Sequence, residues 1–301
     1  MKSGKEVLLA ITLGVLLPGL LLRLHVPQQK YGMNPTSVAV ITENGPELMD
    51  IEEYLVGVLL KEMPDNFEKE ALKAQAVAAR TFTLYNKENN VKHLNGDVCT
   101  SAACCQAYIR PEDYISGGGE ESTVFKMYEA VMATKGQVLY YEDALIEATY
   151  FSSAGGRTED AQAVWGTDVP YLQSVESDEE DRIHTHEIKK EVFCTALGLP
   201  KSEVYIEAPQ YTKGEGIAEI TINGKRFTGM QLRQKLGLRS TQISFYVGKD
   251  TIQIITNGYG HRVGLSQYGA DAMASQGFDY KQILTHYYTD VTIAPYTWDK
   301  N

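Results

Sequence analysis

A chain of 301 residues with 43% hydrophobic content carries enough apolar side chains for a substantial core, in one large or two modest globular units, and excludes disorder. Its 39 acidic residues outnumber 28 basic ones, and the formal net charge of −11 leaves no basic stripe for phosphates, which excludes a nucleic-acid partner. Nineteen tyrosines, planar rings with a polar tip, suit a carbohydrate surface, although packing within the fold accounts for most of them.

In chain order, the first element is membrane-directed. Lys2 and Lys5 precede an uncharged apolar run over residues 7–22 that ends at Arg23. Such a run reaches about 24 Å as a helix, short of the roughly 30 Å hydrocarbon core unless its flanks snorkel or the bilayer thins. A cleaved signal peptide and a retained anchor both fit that length, and the lack of a small-x-small triplet behind the run favours retention. Residues 1–26 therefore read as a single N-terminal transmembrane helix or signal peptide, 27–36 as a linker and 37–301 as one exported unit. With the lysines inside, that unit lies on the extracytoplasmic side of a single-pass membrane protein.

The alternating stretch 37–42 predicts a strand before the turn at Asn44-Gly45-Pro46. Asp50 and Glu53 then make a capping-box pattern, and Ile51, Tyr54, Leu55, Val58 and Leu59 fall at helical spacing until Pro64 stops the helix, with Glu62 in its last turn. A second helix over 67–87 carries Ala71, Ala74 and Ala78 along one side, so the two helices are expected to pack as a pair. Residues 137–153 turn β-rich, with a bend at Asp143, and the acidic stretch 176–181 reads as a solvated surface. A short helix follows around 189–197. Asn223-Gly224 marks a hairpin, strands over 243–247 and 251–256 follow, and helices over 268–275 and 280–288 close the chain. This mixed order predicts an α+β fold, strands and helices together in the exported unit.

Tyr54-Leu-Val-Gly-Val-Leu-Leu-Lys-Glu62-Met-Pro, then Phe67 and Glu70-Ala-Leu-Lys-Ala-Gln-Ala-Val-Ala-Ala-Arg80-Thr, strongly resemble the signature of the stage II sporulation protein D family. The resemblance continues in Asp97-Val-Cys99, Cys105-Gln-Ala-Tyr108, the 151–158 segment, Trp165-Gly166, Gly260-His261 and Gly264-Leu-Ser-Gln-Tyr-Gly-Ala270. Members of that family are lytic transglycosylases that cut peptidoglycan glycan strands during engulfment in endospore-forming bacteria. The resemblance implies an exported catalytic unit, an amidase that removes stem peptides and a multi-spanning membrane protein of the engulfment machinery as partners, and septal wall degradation as the setting. The family also contains amidase enhancers, so a non-enzymatic recruiting protein is the rival reading. One departure stands out: where the family loop reads Gly-His-Gly-Val-Gly-Met, this chain has Arg262 and Leu265.

Helical spacing puts the Glu62 carboxyl on the apolar face of its helix, where desolvation raises a carboxyl pKa and keeps it able to protonate a glycosidic oxygen. From spacing alone an exposed glutamate at a helix end is the favoured reading; the resemblance reverses that and implies the catalytic acid. One carboxyl suffices when the C6 hydroxyl of muramic acid attacks its own anomeric carbon, giving a 1,6-anhydro product. His93, Cys99 and Cys105 form a His-x5-Cys-x5-Cys set for a structural zinc, with a Cys99–Cys105 disulfide as the alternative and Cys104 outside the pattern. No cofactor is required for the chemistry. Cys194 reads as a core thiol, and Trp165 as a core residue. The resemblance implies substrate-binding roles near the groove for Ser152, Ser153, Ser266, Gln267 and Tyr268; Lys73 and Arg80, seven apart on one helix side, are further candidates.

Overall fold

A computed structural model describes residues 36–89, 92–200 and 203–297. The expected anchor at 1–26 and all of the linker but Thr36 lie outside the described residues, and among the described helices none is long and apolar enough to cross a membrane.

Residues from Thr36 onward cluster as one α+β unit built round a long central helix. Strand Ser37–Thr42 pairs antiparallel with Gly45–Asp50, so the expected turn at Asn44 is tighter than predicted and Pro46 falls within the edge strand, where a missing N–H is harmless. Val98–Cys99 joins the other edge in parallel and fixes the start of the cysteine segment. Helix Ile51–Glu62 starts at Asp50, whose side chain accepts the Glu52 N–H.

The predicted helical pair packs together. Helix Lys69–Asn89 presents Leu72, Ala76, Ala79 and Leu84 to helix Ile51–Glu62 and to helix Glu121–Ala133. Its Ala71, Ala74 and Ala78 face Leu139, Leu265, Ala270, Ile283 and Leu284 on the other side. Both flanks of this helix are buried, which is why small alanines replace a single apolar stripe.

Glu142 and Asp143, both at positive φ, make the tight turn between Gln137–Tyr141 and Ala144–Leu145. Tyr150–Phe151 leaves that sheet and pairs in parallel with Leu265–Ser266. A third apolar cluster, from Phe193 to Ile254, unites helix Lys190–Leu197, helix Gly229–Leu236, the Asn223-Gly224 hairpin and the sheet of His184–Lys189, Thr251–Asn257 and Gln242–Val247. Cys194 belongs to this core, as expected.

Candidate active site

Glu62 is the last residue of its helix, at the end where backbone carbonyl dipoles disfavour negative charge. Its half-buried carboxyl lines a cleft of about 770 Å³ together with Tyr150, Ser152, Trp165, His261 and Gln267. Oε1 accepts the Ala107 N–H at 2.6 Å. Burial pushes the Glu62 pKa up, while the Ala107 N–H and the Gln267 amide pull part of the way back. The result is a carboxyl that holds its proton to higher pH than an exposed glutamate and is aimed into open space.

The Ala107 donor is held by its neighbour. Gln106 is buried, donates to Thr83 Oγ1 at 2.9 Å and to the Tyr54 hydroxyl at 3.3 Å, and accepts the Tyr150 hydroxyl at 3.0 Å. A saturated network of this kind leaves the segment one position to sit in.

His261 lies in the cleft wall. Its Nδ1 accepts the Val263 N–H at 3.2 Å, and burial assisted by the nearby Arg233 lowers its pKa to about 4, with the Tyr150 backbone opposing part of that shift. It is a neutral, backbone-tethered ring and not a proton donor near neutral pH. Sequence reasoning missed a second carboxyl in the cleft, Glu147, which pairs with Lys92 at 3.8 Å. No local motif surrounds it; only the chain reversal after Tyr141 brings it here.

Beside the cleft, the side chains of His93, Cys99, Cys104 and Cys105 gather with ligand atoms within 4.8 Å of one another. His93 Nε2 stands 3.3 Å from Cys105 Sγ and 3.7 Å from Cys104 Sγ, and the two sulfurs are 3.9 Å apart. All four cysteines of the chain are free thiols. Burial, with Cys99 and Cys104 beside it, pushes the Cys105 thiol up to about 12. Cys104, set outside the pattern by its spacing, is brought in by a turn in which the Cys104 and Cys105 N–H groups both donate to the Ser101 carbonyl.

The stage II sporulation protein family signature matches residues 43–141, the stretch that carries both Glu62 and the cysteine cluster. Stage II sporulation protein D of Bacillus amyloliquefaciens is 37% identical over 273 residues, covering 87% of this chain and 79% of its own length. The protein of that name from Bacillus subtilis (strain 168) is 36% identical, covering 87% and 80%. This chain belongs to the stage II sporulation protein D family. The amidase enhancer of Bacillus subtilis is similar at 28% identity over 80% of the chain and 40% of its own length.

As a stage II sporulation protein D family member, the chain departs from the loop pattern at Arg262, and the structure shows how the loop accommodates it. Arg262 adopts φ +66, the region glycine would favour, and its buried guanidinium donates to the Ala154, Arg157 and Gly214 carbonyls and to Glu159 at 3.3 Å. Left-handed backbone costs a non-glycine residue about 1 kcal/mol, whereas three buried hydrogen bonds to carbonyls and an ion pair repay more than that.

The sequence-predicted binding residues separate into two groups. Ser152 and Gln267 line the cleft. Ser153 and Ser266 instead donate to Glu179 at 2.8 and 2.6 Å, where the Ala154 and Gly155 N–H groups also converge. Glu179 thus clamps the two segments that flank the cleft, and the acidic stretch expected to be solvated has one member drawn inward by donors distant in sequence. Tyr268 stacks edge-on against Phe67 with Arg182 over its ring, outside the cleft lining. Lys73 pairs with Glu70. Arg80, with 0% exposure, donates to Glu52 at 2.6 Å and to the Val131 and Gln137 carbonyls, so it offers the groove no surface.

Proposed function

We propose that the protein is a peptidoglycan lytic transglycosylase in which Glu62 is both acid and base. The observation that carries this reading is a half-buried carboxyl with a raised pKa, at a helix C-terminus, facing a cleft large enough for several sugar units. Glu62 gives its proton to the glycosidic oxygen as the bond to C1 of N-acetylmuramic acid breaks. The resulting carboxylate takes the proton of the C6 hydroxyl as O6 bonds to C1. No water is consumed, Glu62 ends protonated, and the product carries a 1,6-anhydro ring.

Glu147 supports a competing scheme, because a second carboxylate in the cleft could activate water for hydrolysis. Its pairing with Lys92 favours a charge-balancing role. In the proposed mechanism Glu147→Gln still yields anhydro ends, whereas hydrolysis would give reducing ends and stop in that variant. The rival non-enzymatic reading draws on the similarity to a protein named amidase enhancer. A raised carboxyl in a substrate-sized cleft favours the enzyme; failure of the native protein to cleave glycan would defeat that reading, whereas native cleavage by Glu62→Gln would defeat the role of Glu62.

The cysteine cluster fits zinc. Tetrahedral bonds of about 2.3 Å place sulfur ligands about 3.7 Å apart, close to the 3.9 Å between Cys104 and Cys105, and three cysteines with one histidine are a common structural set. His93, Cys99 and Cys105 would hold the ion with Cys104 as the fourth ligand, closing the shell and leaving no position for substrate. The ion's charge would stabilise thiolates that burial disfavours. Its role is to brace the segment that leads from Cys105 to the Ala107 N–H. In this reading the protein acts on septal peptidoglycan from the extracytoplasmic face, held by residues 1–26, alongside an amidase and a multi-spanning membrane protein.

A further inference from the structure

Trp165 ends the short helix Ala161–Trp165, which Asp160 caps and which Gly166 terminates in the left-handed region at φ +76. The sequence reading made it a core residue, yet it is 44% exposed, and the exposed ring lines the cleft. Tyr259, 50% exposed, lines the same cleft. Scattered exposed aromatics need no explanation; two lining the cleft that holds the raised carboxyl do.

Both rings are held rigidly from behind. Tyr259 exchanges backbone hydrogen bonds with Ser153 at 2.8 and 3.1 Å, and the Arg239 guanidinium sits 5.4 Å from its ring centroid. Trp165 rests against His261 at 5.4 Å between centroids, and His261 in turn rests against buried Phe151 at 5.6 Å. The three rings form a ladder from the core to the cleft. Gly260 keeps the ladder close: a Cβ there would meet Phe151 Cβ at 2.7 Å.

We infer that Trp165 and Tyr259 form an aromatic wall on which the sugar rings of a glycan strand stack, with His261 as the positioning residue that holds Trp165. The apolar face of a pyranose ring matches a fixed indole face in size, and a ring already immobilised loses little entropy on binding. His261 suits that support because its Nδ1 is tethered to the backbone, its ring is packed between Phe151 and Trp165, and its neutral state adds no charge beneath the indole. This inference rests on the glycan-cleaving reading for its ligand, but not on the chemistry at Glu62.

The test uses full-length protein carrying Glu62→Gln and Trp298→Phe, which leaves Trp165 as the single tryptophan of the two in the chain. Titration with a peptide-free GlcNAc–MurNAc tetrasaccharide should change Trp165 fluorescence and give a Kd. In the same background Trp165→Ala, followed by calorimetry, should weaken binding by about tenfold or more, while Trp165→Phe should stay within about threefold. Tyr259→Ala gives a second measurement should Trp165→Ala fail to fold. His261→Gln should weaken binding and broaden the Trp165 emission, a change that mere loss of a distant contact would not produce. Unchanged affinity in folded Trp165→Ala and Tyr259→Ala overturns the wall, even where native protein makes anhydro products. Weakened binding in these variants while native protein cuts nothing upholds the wall and defeats the lyase reading. No binding by the parent defeats both.

Discussion

At the scale of single residues, protonation of Glu62 decides what the cleft can do. Glu62 has a raised folded pKa, so it stays a competent acid above the pH at which a free glutamate ionises, and cleavage should fall as pH rises through that folded value. The same shift has a consequence for stability. A raised carboxyl stabilises the fold fully below its unfolded pKa of about 4.5, and that contribution is lost as pH rises toward the folded value. Glu62→Gln should therefore melt at least as high as native protein at neutral pH, with the advantage vanishing near pH 4; thermal melts across pH 4–8 check this. His261 has the opposite sign. Its folded pKa of about 4 lies below the usual histidine value of 6.5, so its neutral burial weakens the fold as pH drops from 6.5 toward 4, and His261→Gln should flatten that part of the stability profile. Glu62 was legible in the sequence because the helical period puts it on the apolar face and the family resemblance singles it out there. Glu147 and Trp165 were not, since their exposure to the cleft is decided by a chain reversal and by a helix of a few residues ending at Gly166.

At the scale of elements, two buried ion pairs tie together segments far apart in sequence. Arg80 joins helix Ile51–Glu62, through Glu52, to the ends of helix Glu121–Ala133 and strand Gln137–Tyr141. Arg80→Ala strands Glu52 in the core and should cost about 3–5 kcal/mol in denaturant unfolding. Arg262→Gly tests which of two effects wins at the loop. Relief of the left-handed backbone is worth about 1 kcal/mol, whereas leaving Glu159 unpaired costs about 3 kcal/mol or more, so the variant should be less stable than native protein. Helical spacing made Arg80 a groove candidate because spacing shows a shared face but not what covers it. The cysteine segment carries a similar lesson: spacing picked out His93, Cys99 and Cys105, and only the turn at Ser101 reveals Cys104. Purified protein should contain about one zinc per chain, and Cys104→Ser should lower zinc retention under mild chelation, as Cys99→Ser and Cys105→Ser do. Full retention in Cys104→Ser would show a three-ligand site.

At the scale of the molecule, the α+β class and the order of most elements follow from periodicity and turn chemistry, as at Asn223-Gly224 and at the two closing helices. What periodicity could not supply is the long-range pairing of Tyr150–Phe151 with Leu265–Ser266, which brings Ser152, His261 and Gln267 to the cleft that holds Glu62. The matched family signature at residues 43–141 carries Glu62 and the cysteine cluster, while the rest of the chain supplies the remaining cleft wall. The expected anchor predicts recovery of the protein in the membrane fraction with residues 1–26 still attached, and recovery of a soluble chain beginning near residue 25 would contradict it. The most direct test of the central claim is mass spectrometry of peptidoglycan digested by native protein and by Glu62→Gln. Fragments ending in 1,6-anhydro-N-acetylmuramic acid from the native protein, and none from the variant, are the predicted result. Reducing ends from the native protein, or anhydro ends from both, would contradict it.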